Sequence, residues 1–181
     1  MKDKSKLATF KKGGVVIFPT DTVYGIGCRY DSQKAIDKIH RIKGTPKTQH
    51  FPILVGNSMQ VEKIAQINES AKNLMKKHWP GGLTIILRSK NGKEKIAFRM
   101  PDLDSLRNII EEVGPIIGTS ANFHTQPAPR SDEELDPKLV SLADYVIKGE
   151  CIGGRESTVV DTTVYPPKIL RQGAIQLTKL T

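Results

Sequence analysis

Residues 15–18, Val15-Val16-Ile17-Phe18, form an unbroken apolar run, and the chain turns polar directly afterwards: Pro19-Thr20-Asp21-Thr22 precedes Val23-Tyr24-Gly25-Ile26-Gly27. A short apolar run bounded by turn residues reads as a strand buried on both faces. The ends of such strands in α/β sheets are where ligands sit. Three short polar side chains gather at this one, followed by two glycines that let a ligand approach the backbone closely. Together they predict the floor of a pocket rather than a plain turn.

The rest of the chain repeats this alternation. Strands are predicted over 15–18, 23–28, 52–55, 115–119, 145–148, 158–161 and 169–171. A hairpin, 83–88 with 95–99, turns at Asn91-Gly92. A short helix is predicted over 7–12, ending at Gly13-Gly14. A longer one, capped by Asp31 or Ser32, runs to Ile42 with Ala35, Ile36 and Ile39 on one face. Helices over 59–65 and 69–78 follow, the second capped by Asn68 and stopped by Trp79-Pro80-Gly81-Gly82. Leu106, Ile109, Ile110 and Val113 share one face of a helix over 103–113, and helical pieces are predicted over 131–135 and 137–143. Segments 43–51 and the Pro-rich stretch after Asn122 read as loops. Strands and helices interleaved to the end, with one hairpin, predict a single-domain α/β (mixed α+β) fold over residues 1–181, built on a twisted mixed sheet.

Several chemistries are excluded by what the sequence lacks. It contains no P-loop, and Gly25-Ile26-Gly27 lacks the third glycine of a dinucleotide fingerprint. His40, His50, His78 and His124 have no zinc spacing, and Gly-x-Ser-x-Gly is absent. No pair of carboxylates is spaced for acid-base work, so no protein metal ligands are expected. Cys28 and Cys151 have neither redox nor metal spacing, which fits a reducing cytoplasm. The charged start, Met1 to Lys6, leads into no long apolar run, and no stretch is long enough to span a membrane. A net charge of +9 favours anionic partners such as nucleotides, phosphates or nucleic acid. A basic face could hold tRNA or double-stranded RNA, but five Phe, four Tyr and one Trp leave little to stack single-stranded bases, which counts against an RNA-binding reading.

What remains is a series of polar clusters at strand ends and in glycine-rich loops. They are Thr20-Asp21-Thr22, Lys43-Gly44-Thr45-Pro46-Lys47, Ser120-Ala121-Asn122, Gly153-Gly154-Arg155-Glu156-Ser157, and Arg99 and Arg171 at the close of two strands. Each alone reads equally as a solvated loop, a cap or a tight turn. Together they supply backbone amides, hydroxyls and cations. That set suits holding a polyanion and stabilising charge during displacement at phosphorus.

The order of these clusters resembles the YrdC/TsaC family of threonylcarbamoyl-AMP synthases: Pro-Thr-Asp-Thr-Val-Tyr-Gly, Lys-Gly-x-Pro, Trp-Pro-Gly-Gly-Leu-Thr, Arg-x-Pro, Thr-Ser-Ala-Asn, Ser-Thr-Val-Val-Asp and Ile-Leu-Arg-x-Gly, over about residues 12–175. The resemblance implies a three-layer domain with a deep basic concave pocket. It also implies a reaction in which L-threonine, bicarbonate and ATP give threonylcarbamoyl-AMP and pyrophosphate, with Mg2+ as counterion of the triphosphate. The product would pass to a separate tRNA threonylcarbamoyl-transferase machinery. By the same resemblance Thr20, Thr22, Arg99 and Ser157 face threonine. Lys43, Thr45, Lys47, Gln49, Lys95, Ser120, Asn122 and Arg171 face ATP, and Lys43, Ser120 and Asn122 are the catalytic set. Three positions depart from the family pattern. An arginine becomes Thr45, with Lys47 near enough to replace its charge; a threonine-side histidine becomes Leu54; and a threonine becomes Lys95. These departures keep open an alternative in which the chain is an RNA-binding module with weak or no synthase activity.

Overall fold

The computed structural model describes residues 4–178. In chain order the elements are α1 Lys4–Lys11, β1 Val16–Phe18, β2 Gly25–Arg29, α2 Gln33–Lys43, β3 Ile53–Leu54, α3 Ser58–Ile64, β4 Ala65–Gln66, α4 Glu69–His78, β5 Leu83–Ser89, β6 Lys95–Arg99, α5 Asp104–Val113, β7 Ile116–Ser120, α6 Pro137–Leu142, β8 Tyr145–Val146, β9 Thr158–Asp161 and β10 Lys168–Arg171. The strands join into one sheet in the order β10-β9-β5-β6-β3-β7-β2-β1-β8, with β4 on β5. β1–β8, β3–β6 and β5–β9 pair in parallel and their other neighbours antiparallel, so the sheet is mixed as expected.

Strand alternation sorts the apolar residues onto two faces. Ile17, Ile26, Ile53, Phe98 and Ile117 point to one face and pack with Ala35 and Ile39 of α2, Val61 of α3 and Leu74 of α4. Val16, Phe18, Leu54 and Ile116 point to the other and pack with Phe10 of α1 and Leu106, Ile109, Ile110 and Val113 of α5. Helices therefore cover both faces. On the second face, however, α1 and α5 sit over β1, β3 and β7. The same face of β5, β6 and β9 carries Thr84, Ile86, Ala97, Arg99 and Val159, which line a cavity instead.

Most differences from the sequence-based elements have local causes. The first helix begins at Lys4 rather than at residue 7. The strand predicted from residue 23 begins at Gly25, because Thr20 Oγ1 donates to Val23 O and accepts from the amides of Thr22 and Val23, closing a turn there. Ser32 occupies the N-cap of α2 without a side-chain capping bond, whereas Asn57 and Asn68 do cap α3 and α4. The helical piece predicted over 131–135 is a turn. Glu134 Oε2 takes the Arg130 amide at 2.7 Å, and Pro137 opens α6 just beyond, behind an Asp136 cap. β4 gave no signal because two residues show no periodicity; it is defined only by its register on Ser89 and Arg88.

One glycine is demanded by packing and another by its dihedral. A Cβ on Gly27 would lie 2.0 Å from Ile117 O, so β2 and β7 could not keep their register. Gly44 ends α2 in the left-handed region at φ 64°, with open space around it. Gly27→Ala is expected to cost about 3 kcal/mol and Gly44→Ala about 1 kcal/mol. Urea denaturation of the two variants checks this order, and equal losses would contradict it.

Candidate functional site

A cavity of 370 Å³ opens on the sheet face left uncovered by α1 and α5. Its floor is β5, β6 and β9, and the loops after β1 and β7, before β3 and before β9 form its walls. Of the residues proposed from sequence, it brings together Thr20, Thr22, Gln49, Arg99, Ser120, Ser157 and Arg171. Lys43, Thr45, Lys47, Lys95 and Asn122 are not on its wall.

At one end stands Arg99, the last residue of β6, only 7% exposed. Its Nε donates to Gly81 O at 3.1 Å, Nη1 to Thr22 Oγ1 at 2.8 Å and Nη2 to Asp21 Oδ1 at 2.5 Å. A guanidinium has five N–H groups, so one remains on each terminal nitrogen, which is the fork that matches a carboxylate. Thr22 is fixed just as tightly. Thr20 spends its hydroxyl proton on Val23 O and takes the amides of Thr22 and Val23, and the Thr22 hydroxyl lies 2.9 Å from it. Removing either partner of the nearly dry Asp21–Arg99 pair would strand a buried charge.

At the other end stands Arg171, closing β10. It donates from Nε to Ser157 O at 3.1 Å, from Nη1 to Glu156 Oε2 at 2.8 Å and from Nη2 to Ser157 Oγ at 3.4 Å. Both members of the Glu156–Arg171 pair are close to half exposed, so its contribution to stability is about 1 kcal/mol or less. Between the two ends lie Ser157 and Thr84, whose hydroxyls are 2.8 Å apart.

Lys43 ends α2 behind this wall. Its ammonium donates to Ser120 O at 2.7 Å, Asn122 O at 2.8 Å and Asn122 Oδ1 at 3.1 Å, so all three of its protons are engaged by the loop after β7. Asn122 in turn donates from Nδ2 to Gln126 O. Burial pulls the Lys43 ammonium down to about 8, with the Glu156 charge pushing back. Thr45 is buried with its Oγ1 3.2 Å from His40 Nδ1, and His40 stacks on Phe51 at 4.4 Å. The position where the resemblance expects an arginine thus supports the Gln49–Phe51 wall from behind. Lys47 pairs with Asp37 at 2.9 Å and Lys95 with Asp161 at 2.8 Å. These two lysines line a second cavity, of 610 Å³, that meets the first at Gln49, His50, Phe51 and Ala97. The candidate nucleotide residues are therefore split between two adjoining cavities and the framework behind them.

Sequence reasoning named Asp21, Glu156 and Thr84 within clusters or motifs but gave none of them a role in the site. Asp21 sat between two selected threonines, and Thr84 is the out-of-phase polar residue in Leu83-Thr84-Ile85, a signal that strand alternation carries. Glu156 gives no such signal, because its partner lies on β10. Among the described residues no group of three or more His, Cys, Asp or Glu is placed to hold a metal, and no helix is long and apolar enough to cross a membrane.

The Lys43 geometry makes a stability prediction. Its folded pKa lies below its unfolded value near 10.5, so between these values the unfolded chain binds more protons, and raising the pH favours the folded state. Between pH 8 and 10.5 the stability of the wild type relative to Lys43→Met is expected to rise, by up to about 3 kcal/mol. Denaturant titrations of both proteins at the two pH values measure it, and a constant difference would contradict it.

The geometry has counterparts in known proteins. The Sua5/YciO/YrdC family model, described as telomere recombination, matches residues 8–173. A Methanocaldococcus jannaschii protein named provisionally for threonylcarbamoyl-AMP synthesis is 32% identical over 191 residues, covering 99% of this chain and 91% of that one. The Bacillus subtilis threonylcarbamoyl-AMP synthase is 36% identical over 180 residues, covering 93% of this chain and 52% of its own length. The crystal structure of Pyrococcus abyssi Sua5 complexed with L-threonine superposes with a TM-score of 0.87 at 34% identity, over 93% of this chain and 53% of that one. The chain thus spans about half the length of the Bacillus and Pyrococcus proteins. With the family model matching residues 8–173, relatives at 32% and 36% identity and the fold in agreement, the chain belongs to the Sua5/YciO/YrdC family.

Proposed function

We propose that the protein is a threonylcarbamoyl-AMP synthase, a nucleotidyltransferase that joins L-threonine, bicarbonate and ATP. The observation that carries this reading is the polarity of one cavity. Arg99, with two uncommitted N–H groups beside the Thr22 hydroxyl, stands at one end, and Arg171 and Ser120 stand at the other. The L-threonine complex of the Pyrococcus relative supports an amino acid as one ligand.

In this reading the Arg99 fork takes the threonine carboxylate. Thr22, whose hydroxyl accepts from Arg99, faces the nitrogen or the side-chain hydroxyl of the substrate. The free amine condenses with bicarbonate to a carbamate and water. A carbamate oxygen then attacks the α-phosphorus, the bond to the β-phosphate oxygen breaks, and pyrophosphate leaves. Arg171 and Ser120 lie along the nucleotide, with Gln49 on the facing wall. Lys47 and Lys95 supply charge from the adjoining cavity once they exchange their carboxylate partners for phosphate. Lys43 and Asn122 shape the loop that presents Ser120. Holding two ligands in line and balancing developing charge supply most of the rate. Mg2+ would serve as counterion of the triphosphate; among the described residues Glu156 is the one carboxylate on the cavity wall and, already engaged by Arg171, it does not amount to a dedicated cage. The threonylcarbamoyl-adenylate is a mixed anhydride, and its consumer is the machinery that modifies adenosine in tRNA.

Pyrophosphate release from purified protein is expected to require threonine, bicarbonate and ATP together. Arg99→Gln is expected to raise the KM for threonine at least tenfold, on the scale of a lost charge-assisted bidentate contact. Coupled pyrophosphate detection with mass spectrometry of the product checks both points, and release that persists without threonine would reject the reading.

A further inference from the structure

We propose that Thr84 is a positioning residue that couples the two ends of the cavity through the hydroxyl of Ser157. The inference rests on the synthase reading, since it takes the ends to be an amino-acid site and a nucleotide site. Thr84 is 1% exposed and lies on the floor of the cavity. In the sheet it is the register partner of Arg99 on β6 and of Val159 on β9, so its backbone lies directly across from that of the arginine that defines the amino-acid end. Its Oγ1 is 2.8 Å from Ser157 Oγ, and Ser157 Oγ also accepts from Arg171 Nη2 at 3.4 Å. One hydroxyl is thereby shared between the register partner of Arg99 and the cation at the nucleotide end.

Counting protons gives the contact a direction. A serine hydroxyl has one proton and two lone pairs. Arg171 takes one lone pair. The ligands of this cavity present anionic oxygens, from a carboxylate, a carbamate or a phosphate, and to meet one of these Ser157 must donate its proton. Thr84 must then donate to the second lone pair of Ser157. In this arrangement Thr84, Arg171 and one ligand oxygen fully satisfy Ser157, and its O–H is aimed into the cavity. Without the Thr84 hydroxyl, Ser157 keeps its proton but loses the donor that fixes its rotor. Ordering of Ser157 by a ligand at one end then no longer helps a ligand at the other.

Thr84→Val removes the hydroxyl at nearly constant shape, and Thr84→Ser retains it. The measurement is the calorimetric Kd of L-threonine, with and without a non-hydrolysable ATP analogue, for wild type and both variants. In the wild type the analogue is expected to tighten threonine binding, and by linkage threonine tightens the analogue by the same factor. Thr84→Val is expected to weaken threonine binding about tenfold, the scale of one buried hydrogen bond, and to bring the coupling factor to about one. Thr84→Ser restores both. A purely structural role would lower the melting temperature and leave the coupling factor unchanged. If Thr84→Val does not fold, Thr84→Ala is measured in its place. A coupling factor unchanged by loss of the hydroxyl overturns the proposal. Failure of the wild type to bind threonine at all overturns the synthase reading, and the coupling with it.

Discussion

The buried guanidinium of Arg99 ties together segments that the chain encodes far apart. It ends β6, and it binds Asp21 and Thr22 from the loop after β1 and Gly81 from the turn after α4. Neither loop has regular structure to hold it. The Thr20–Val23 turn is closed by its own hydroxyls, but its position against the sheet is set by Asp21 and Thr22 on Arg99. A buried cation without partners costs several kcal/mol, so these loops cannot drift away without exposing or stranding the charge. The same three bonds leave two donors on the terminal nitrogens. Folding and the proposed amino-acid site therefore draw on one side chain, and the order of that end of the cavity is a consequence of the order of its loops.

The cavity exists because the sheet is wider than the helices covering one of its faces. α1 and α5 satisfy the apolar residues of β1, β3 and β7 on that face. On β5, β6 and β9 the corresponding positions hold Thr84 and Arg99 beside Ile86, Ala97 and Val159, with Ser157 just before β9. A helix laid over these would bury hydroxyls and a cation against hydrocarbon. The uncovered face is thus written into the outward positions of three strands, while their inward positions, Ile85, Phe98 and Val160, carry the common core.

Much of this was legible in the sequence, because strand and helix periodicity are local. The amphipathic face of α5, the hairpin at Asn91-Gly92 and the ligand-bearing loop after β1 follow from residues close together in the chain. What escaped was set by tertiary partners. β4 exists only through its register on β5, and the turn at 131–135 only because Glu134 takes a backbone amide from Arg130. The site divides in the same way. Hydroxyls and arginines near strand ends could be read as ligand-facing, and six of them share the cavity wall. Whether a given cation faces the ligand depends on carboxylates and carbonyls that the sequence does not place beside it. Asp37 holds Lys47, Asp161 holds Lys95, and the Ser120–Asn122 loop holds Lys43.

Lys43 shows what that distinction means for mechanism. An ammonium facing a triphosphate would gain from a nearby anion and from freedom to follow the phosphates as charge moves. Lys43 lacks that freedom: its protons are spent on two carbonyls and an amide oxygen, and burial lowers its proton affinity more than the Glu156 charge raises it. Its positive charge still reaches the cavity through space, a few ångströms behind Ser120, where the low dielectric strengthens it. Substituting Lys43 would then impair turnover by releasing the loop that carries Ser120 and by removing this background potential, without loss of a direct phosphate contact. In the proposed synthase the lysine would contribute a fixed field and a fixed loop, both in place before ATP arrives, which is the preorganisation that charge-stabilising catalysis at phosphorus requires.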